Sequence, residues 1–161
     1  MGTIWWLEWA SIALQTETNT KNMPNTDIIQ DYSFWWEENI RWGDQDSMGH
    51  VNNVQVARYI EASRIPFLHN LSNEADGAPA QFILARLEVN YLIEMHFPGN
   101  VRIGTSVEHI GSTSVTLAHG LFQEKVCAGT GKSIVVHLDS RTRRPKSLSH
   151  SLREQLLNRQ V

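Results

Sequence analysis

The sequence predicts an α+β domain, an antiparallel sheet of about five strands wrapped round one long central helix. A run rich in aromatic residues (34–44) precedes a long apolar segment with helical spacing (50–71), and four strand-like segments follow within residues 81–144. Successive strands pair as an antiparallel meander. One face of such a sheet needs a cover, which the single long helix supplies.

The length and composition predict one folded domain behind a flexible extension. The chain has 161 residues, 41% of them hydrophobic, which is enough for one sizeable core. Residues 16–31 are polar and rich in Asn and Thr, so we expect residues 1–30 to be a flexible N-terminal extension and 31–161 the domain. The apolar start of the extension contains Glu8 and lacks a basic region, which fits neither a signal nor a transit peptide. We favour an extension without function over a docking helix.

Charge and hydropathy exclude several classes of function. The net charge is −3, from 14 basic and 17 acidic residues, which argues against nucleic-acid binding. No apolar stretch reaches the ~20 residues of a membrane span. The single cysteine, Cys127, cannot form an intrachain disulfide, so we expect a reducing, cytoplasmic location. Cys127 is interpreted as a small residue at a hairpin end, and the seven scattered histidines lack metal-like spacing, so no metal or cofactor is predicted.

The individual elements follow from periodicity and from turn residues. The first strand is predicted to end at Gly43. The helix at 50–71 is apolar on two faces, as a helix buried on two sides would be, and Pro66 should kink or end it. Along its remaining stripe, Arg58, Glu61 and Arg64 lie three residues apart and can form ion pairs.

The later segments predict the rest of the sheet and a closing helix. Residues 72–80 form a loop, and strands follow at 81–97, 100–111 and 112–126. A turn at 129–131 leads into the last strand, 131–144. A short amphipathic helix at 149–161 should place Leu152, Leu156 and Leu157 inward.

One stretch carries more polar side chains than its local structure requires. Residues 41–53 read RWGDQDSMGHVNN, with two aspartates, a histidine and two asparagines where the first strand meets the long helix. A simple turn needs only one or two such residues. The excess suggests a site at the start of the helix.

The order of these motifs resembles the hotdog-fold acyl-CoA thioesterases, and within them the 4-hydroxybenzoyl-CoA thioesterase type. The resemblance rests on GDQDSMGHVNN before the helix, RYIEASR within it and TRRP at the end of the last strand, and it spans roughly residues 34–147. It implies a hotdog fold and hydrolysis of an acyl-CoA or acyl-carrier-protein thioester. It also implies a homodimer, or a tetramer of two dimers, whose sheets join edge to edge and whose active sites lie at the subunit interface. An exposed sheet edge is a liability unless it is paired, which agrees with this assembly.

The resemblance assigns roles to three residues. The family carries an aspartate ahead of the central helix as general base or nucleophile, and by position that residue is Asp46. The backbone N–H seven residues on, at Asn53, would bind the thioester oxygen. The Asn53 side chain differs from the Tyr or His of another branch, so its own role stays open. His50 could orient Asp46, contact the substrate, or simply bond to the backbone.

Each candidate also has a structural interpretation. Aspartates before a helix are usually caps, which we favour for Asp44; for Asp46 only the whole motif favours catalysis. Asn52 and Asn53 could simply satisfy free N–H groups at the helix start. Glu61 is more readily a structural partner of Arg64 than a catalytic base.

Thioester hydrolysis explains why these residue types would be needed together. Negative charge develops on the carbonyl oxygen in the transition state, and one well-placed donor contributes about 3–4 kcal/mol. A helix N-terminus offers such donors and the positive end of a dipole. A carboxylate nearby can deprotonate water or attack the carbonyl carbon directly. No Ser-His-Asp arrangement competes for the assignment.

Two further questions stay open in the sequence. The basic run RTRRPK (141–146) could bind the phosphates of coenzyme A, although a solvated strand end is favoured. The hotdog fold also hosts hydratases and dehydratases of acyl thioesters, and non-catalytic proteins that bind an acyl ligand. The sequence does not specify the acyl group, nor does it choose between coenzyme A and a carrier protein.

Overall fold

The computed structural model describes residues 32–71 and 80–160 of the chain. The predicted extension at 1–30 and nearly all of the predicted loop at 72–80 lie outside these ranges. The described elements are β1 (Phe34–Ile40), a 3-10 helix (Trp42–Asp44), α1 (Asn53–His69), β2 (Phe82–Tyr91), β3 (Gly99–Ile110), β4 (Ser114–Gln123), β5 (Val126–His137) and α2 (His150–Leu157).

The five strands form one antiparallel sheet in the order β1-β3-β4-β5-β2. The core lies between this sheet and α1. Four residues on one side of α1 are fully buried: Tyr59, Ile60, Ser63 and Phe67. Burying each large apolar side chain contributes about 1.5–3 kcal/mol, so this stripe fixes the helix on the sheet. The predicted α+β architecture is confirmed.

The long helix begins later than predicted and continues past its proline. It starts at Asn53 rather than residue 50, because residues 46–50 form a tight turn in which the Gly49 N–H donates to the Asp46 carbonyl at 3.1 Å. Pro66 lies inside α1, which runs on to His69, so the proline does not end the helix.

Two strands end earlier than predicted. β1 stops at Ile40, because Trp42–Asp44 turn into the 3-10 helix. β2 stops at Tyr91 rather than residue 97, because the N–H groups of Leu92 and Ile93 both donate to the carbonyl of Ala128, at 3.0 and 3.1 Å. The segment that follows β2 is therefore irregular, and it forms a wall of the site described below.

The turn predicted at 129–131 is wrong, because both glycines lie within β5. The hairpin turn comes earlier, at Glu124 and Lys125, which have φ angles of 51° and 81°. A Cβ at Gly131 would lie 2.9 Å from Ile60 Cδ1, and one at Gly129 would lie 3.0 Å from the carbonyl oxygen of Asn90. These glycines allow the helix and the neighbouring strand to approach closely. In the local sequence, a glycine needed for close packing looks the same as a glycine in a turn.

The C-terminal part of the chain also differs in detail. β5 ends at His137 rather than residue 144. Cys127 is the second residue of β5, next to the hairpin turn at Glu124 and Lys125, as expected for a small residue at a hairpin end. Leu152 and Leu156 of α2 are fully buried, but Leu157 is 53% exposed, so its predicted inward position is wrong. Leu157 is rotated about 100° from Leu156 round the helix and therefore lies outside the buried stripe.

Neither described helix is long and apolar enough to cross a membrane. Among the described strands, β1 and β2 form the two edges of the sheet, and each pairs with one other strand.

Candidate active site

Asp44 links the 3-10 helix to α1 and is buried. Its carboxylate accepts hydrogen bonds from the Arg41 N–H and the Tyr59 hydroxyl, both at 2.8 Å, and lies 3.3 Å from Nη2 of Arg58. Burial alone would raise the pKa of Asp44, but the two hydrogen bonds and the charge of Arg58 together hold the pKa below its ordinary value. Asp44 therefore has a structural role, and Arg58 pairs with it rather than with Glu61.

Asp46 heads the tight turn that precedes α1. Its Oδ1 accepts the Met48 N–H at 2.8 Å, and its own N–H donates to the His50 carbonyl at 3.0 Å. Its side chain is 26% exposed. The local geometry is that of an aspartate stabilising a turn through one oxygen, with the second oxygen directed toward His50.

His50 lies beside Asp46 and faces two oxygen atoms through one ring nitrogen. Nδ1 is 3.6 Å from Asp46 Oδ2 and 3.4 Å from the Val51 carbonyl oxygen. In the neutral ring this arrangement favours the proton on Nδ1 and leaves the lone pair on Nε2. At 3.6 Å the contact is longer than a hydrogen bond, so the Asp46 carboxylate can orient the imidazole through its charge.

The first turn of α1 leaves one backbone donor free. The Asn52 side chain caps the helix by accepting the Val54 N–H at 2.9 Å, and the Asn52 carbonyl accepts the Gln55 N–H at 2.8 Å. In the part of the chain that the structure describes, the Asn53 N–H has no acceptor. Because a helix N-terminus carries positive partial charge, this N–H is a ready donor to an anionic oxygen.

Asn53, the first residue of α1, lines a cavity of about 250 Å³. Four polar residues line it: His50, Asn53, Tyr91 and Glu94. The other six lining residues are apolar: Val51, Val56, Leu92, Ile93, Met95 and Ala128. Two of the three predicted site residues, His50 and Asn53, thus line one cavity. Asp46 does not line it and lies one side chain behind, against His50.

The segment after β2 closes the cavity and was not predicted as part of the site. The Met95 carbonyl accepts the Val51 N–H at 2.8 Å, and His96 Nδ1 lies 3.1 Å from the Gly49 carbonyl oxygen. Gln123 holds the His96 backbone with two hydrogen bonds, at 3.0 and 2.7 Å. One feature of the sequence could have indicated that β2 ends before this segment, since Pro98 and Gly99 interrupt the apolar alternation there.

Farther along α1, a buried polar chain fixes the helix to the sheet. Arg64 Nη1 donates to Ser133 Oγ, which lies 2.8 Å from His119 Nε2, and His119 Nδ1 lies 3.0 Å from Thr105 Oγ1. Burial, reinforced by the nearby charge of Arg64, lowers the pKa of His119 to about 3, so the ring is neutral at physiological pH.

The predicted pair on α1 is present but lies away from the cavity. Glu61 Oε1 is 3.6 Å from Arg64 Nη2 and the Glu61 side chain is 57% exposed. Nothing in this geometry places Glu61 near a substrate. Among the residues described, no three His, Cys, Asp or Glu side chains are grouped as metal ligands.

Comparison with known proteins gives consistent results. The model of the thioesterase-like superfamily matches residues 40–156. The protein YsmA of Bacillus subtilis (strain 168) is 25% identical over 138 residues, which cover 85% of this chain and 94% of YsmA.

Two solved structures illustrate the structural similarity. A predicted thioesterase from Bacillus stearothermophilus has 26% identity and a TM-score of 0.71, covering 80% of this chain and 96% of that one. A thioesterase from Thermus thermophilus, complexed with coenzyme A and Zn, also has 26% identity and a TM-score of 0.71, covering 81% of this chain and 96% of that one.

Proposed function

Because the chain belongs to the thioesterase-like superfamily and has its hotdog fold, we propose that it hydrolyses an acyl thioester to a free acid and a thiol. One observation supports this proposal above the others. Asn53, whose N–H has no acceptor among the described residues, lines a mainly apolar cavity together with His50, and Asp46 lies against His50.

The free N–H serves as the oxyanion donor. As water attacks the carbonyl carbon, negative charge develops on the carbonyl oxygen, and the Asn53 N–H at the positive end of α1 stabilises it. The donor belongs to the rigid first turn of a buried helix, so little reorganisation accompanies the reaction. The Asn53 side chain is not required for this role.

Asp46 supplies the base or the nucleophile, and His50 lies between it and the cavity. As general base, Asp46 takes a proton from the attacking water, directly or through His50; the C–S bond then breaks and the thiolate is protonated. As nucleophile, Asp46 attacks the carbonyl carbon and displaces the thiolate, which leaves as the thiol after protonation; water then cleaves the resulting mixed anhydride to the free acid and regenerates the Asp46 carboxylate. Side-chain rotation or substrate binding must bring Asp46 closer to the cavity for direct attack or direct proton abstraction. The route through His50, which lines the cavity, is therefore the more economical one in this geometry.

The cavity favours an apolar acyl group attached to coenzyme A or to a carrier protein. Its apolar walls, including Val51, Val56 and Met95, can bury such a group, whereas Tyr91 and Glu94 offer polar contacts at the rim. An aromatic acyl group of the 4-hydroxybenzoyl type is one candidate, and short aliphatic groups are others.

We also propose that the protein is a homodimer, alone or paired again into a tetramer. β2 is a ten-residue edge strand with exposed apolar side chains, among them Ile83 and Leu84. Its end, Tyr91, lines the cavity, so a partner strand on this edge would place the site at the subunit interface.

The proposal is tested by thiol release from a panel of short, long and aromatic acyl-CoAs. We expect turnover by the wild type and a loss of at least about 100-fold in kcat for Asp46→Asn. Glu61→Gln is the matched control, since it removes a carboxylate from α1 away from the cavity, and it should retain wild-type turnover. Full activity of Asp46→Asn would refute the assignment.

A single turnover in ¹⁸O-labelled water separates the two roles of Asp46, because only the anhydride route can place label in its carboxylate. The rival functions give different results in the same panel. Loss of absorbance from an enoyl-CoA without thiol release would indicate a hydratase. Tight acyl-CoA binding without turnover would indicate a non-catalytic binding protein.

A further inference from the structure

His50 is held from both sides by two residues that are distant in the sequence. The Val51 N–H donates to the Met95 carbonyl oxygen at 2.8 Å, and the Gly49 carbonyl oxygen lies 3.1 Å from His96 Nδ1. One contact is made to the residue before His50 and the other to the residue after it. Met95 and His96 therefore fix the backbone from which the His50 ring projects.

The contact between His96 and Gly49 requires a proton on one particular ring nitrogen. A carbonyl oxygen accepts hydrogen bonds and cannot donate them, so Nδ1 of His96 must be the donor. The distance of 3.1 Å is that of an ordinary N–H···O hydrogen bond. The other ring nitrogen, Nε2, lies 3.6 Å from Glu94 Oε2, which is too long for a hydrogen bond. His96 is therefore linked to the turn through Nδ1.

Gln123 holds His96 in place from the sheet. This glutamine is the last residue of β4, and its side-chain amide accepts the His96 N–H at 3.0 Å and donates to the His96 carbonyl oxygen at 2.7 Å. A Cβ at Gly99 would lie 2.7 Å from Gln123 Nε2, so the amide is closely packed there. Two hydrogen bonds from one amide to one residue set both the position and the orientation of the His96 backbone.

The turn that His96 contacts also carries Asp46. The Gly49 N–H donates to the Asp46 carbonyl oxygen at 3.1 Å, and the Asp46 N–H donates to the His50 carbonyl oxygen at 3.0 Å. Gly49 has a φ of 86°, which glycine adopts more readily than other residues. Because the turn is closed by these bonds, a displacement of Gly49 would move Asp46 and His50 together.

We propose that His96 is a positioning residue: its Nδ1–H, held in place by Gln123, fixes the Gly49 carbonyl and thereby sets where the His50 ring and the Asp46 carboxylate lie relative to the cavity. The role rests on the proposed thioester hydrolysis. His96 does not line the cavity that contains Asn53, so it acts through the turn and not on the substrate. A misplacement of about 1 Å at a reacting group can cost on the order of 100-fold in rate.

Two amide substitutions distinguish the ring nitrogens of His96. The side-chain amide of Asn can take the place of Nδ1, whereas that of the longer Gln lies nearer the place of Nε2. With an acyl-CoA that the wild type cleaves, His96→Ala and His96→Gln should lower kcat about 10- to 100-fold and leave KM within about three-fold. His96→Asn should keep kcat within about three-fold of the wild type, because its amide can still donate to Gly49.

The controls exclude a general loss of structure. The His96 side chain is 54% exposed, so the Tm of each variant should stay close to that of the wild type. His109→Ala removes an exposed histidine of β3 that lines neither the cavity nor the turn, and it should leave the kinetics unchanged. Equal kcat values for His96→Asn and His96→Gln would overturn the proposal. A raised KM with unchanged kcat would also overturn it, since His96 would then contact the substrate.

A double-mutant cycle tests whether Gln123 and His96 act through the same contact. Gln123→Ala removes both bonds to the His96 backbone and should lower kcat by a factor similar to that of His96→Ala. The double variant should be no slower than the slower single variant, because either change alone releases Gly49. Effects that multiply would show that the two residues act independently, and would overturn the role given to Gln123.

Amide hydrogen exchange tests the positioning without a substrate. In His96→Ala the N–H groups of Gly49 and Val51 should exchange about 10-fold faster than in the wild type, and in His96→Asn at about the wild-type rate. Unchanged exchange in His96→Ala would overturn the proposal even if kcat falls. If the wild type cleaves no thioester while exchange changes as expected, the proposed function fails and the positioning of the turn by His96 is retained.

Discussion

Asp44 and Asp46 lie two residues apart, and their surroundings predict opposite effects of mutation. Asp44→Ala leaves the Tyr59 hydroxyl, which is fully buried, without an acceptor, at a cost of about 1–3 kcal/mol. It also removes the cap on the Arg41 N–H, at a cost of about 1 kcal/mol. Arg58 is partly exposed, so the loss of its charge partner adds little.

The sum is about 3 kcal/mol of unfolding free energy, or roughly 6–12 °C in Tm for a chain of this length. Thermal unfolding followed by circular dichroism measures the difference. Asp46→Asn is the control: its side chain is partly exposed and the amide oxygen can still accept the Met48 N–H, so Tm should stay within about 2 °C. An Asp44→Ala variant as stable as the wild type would refute this reasoning.

The contribution of Asp44 should also depend on pH. Its pKa in the folded protein is below the ordinary value, so the folded state binds this proton less readily than the unfolded chain. The stabilisation is therefore fully present above the ordinary aspartate pKa of about 3.9 and is lost as pH falls through the lower folded value. The Tm difference between wild type and Asp44→Ala should accordingly shrink in acid; a difference that grows there would contradict the assignment.

Two further predictions concern the core. His119 has a pKa of about 3, because of burial and then the charge of Arg64, so its ring should show no NMR titration between about pH 5 and pH 8; a midpoint in that range would contradict its burial. Gly104→Ala should cost about 1–3 kcal/mol in chemical denaturation, because the new Cβ would overlap the ring of Tyr32. Gly43→Ala meets nothing within 4 Å and should be nearly neutral, so equal effects of the two substitutions would refute the packing argument.

The sequence predicted the start of the site because its signals are local. A polar cluster between a strand and a helix specifies a turn, a cap and a free N–H within a few residues, and Asn52 and Asn53 occupy those positions in the structure. The cap role expected of Asp44 agrees with its hydrogen bond from the Arg41 N–H, whereas the catalytic role of Asp46 stays a prediction.

The rest of the cavity depends on contacts between distant parts of the chain. Gln123 forms a hydrogen bond with His96, 27 residues away in the sequence, and Tyr91 forms one with Asn53, 38 residues away. Neither contact leaves a local sequence pattern. The same limit explains Arg64, which was predicted on an exposed stripe but is buried because β5 presents Ser133 to it.

A proline at position 53 tests the central claim most directly, because it deletes the proposed oxyanion donor and little else. Proline is favoured at the first position of a helix, where its missing N–H breaks no internal hydrogen bond. The preceding residue, Asn52, already has the φ of −62° and ψ of 139° that a following proline requires.

Single-turnover rates of thiol release should therefore separate two variants of this residue. Asn53→Pro should lower the rate about 100- to 1,000-fold with Tm close to that of the wild type, whereas Asn53→Ala, which keeps the N–H, should stay within several-fold of it. A fully active Asn53→Pro variant with unchanged stability would show that the free N–H at the start of α1 does not carry the chemistry.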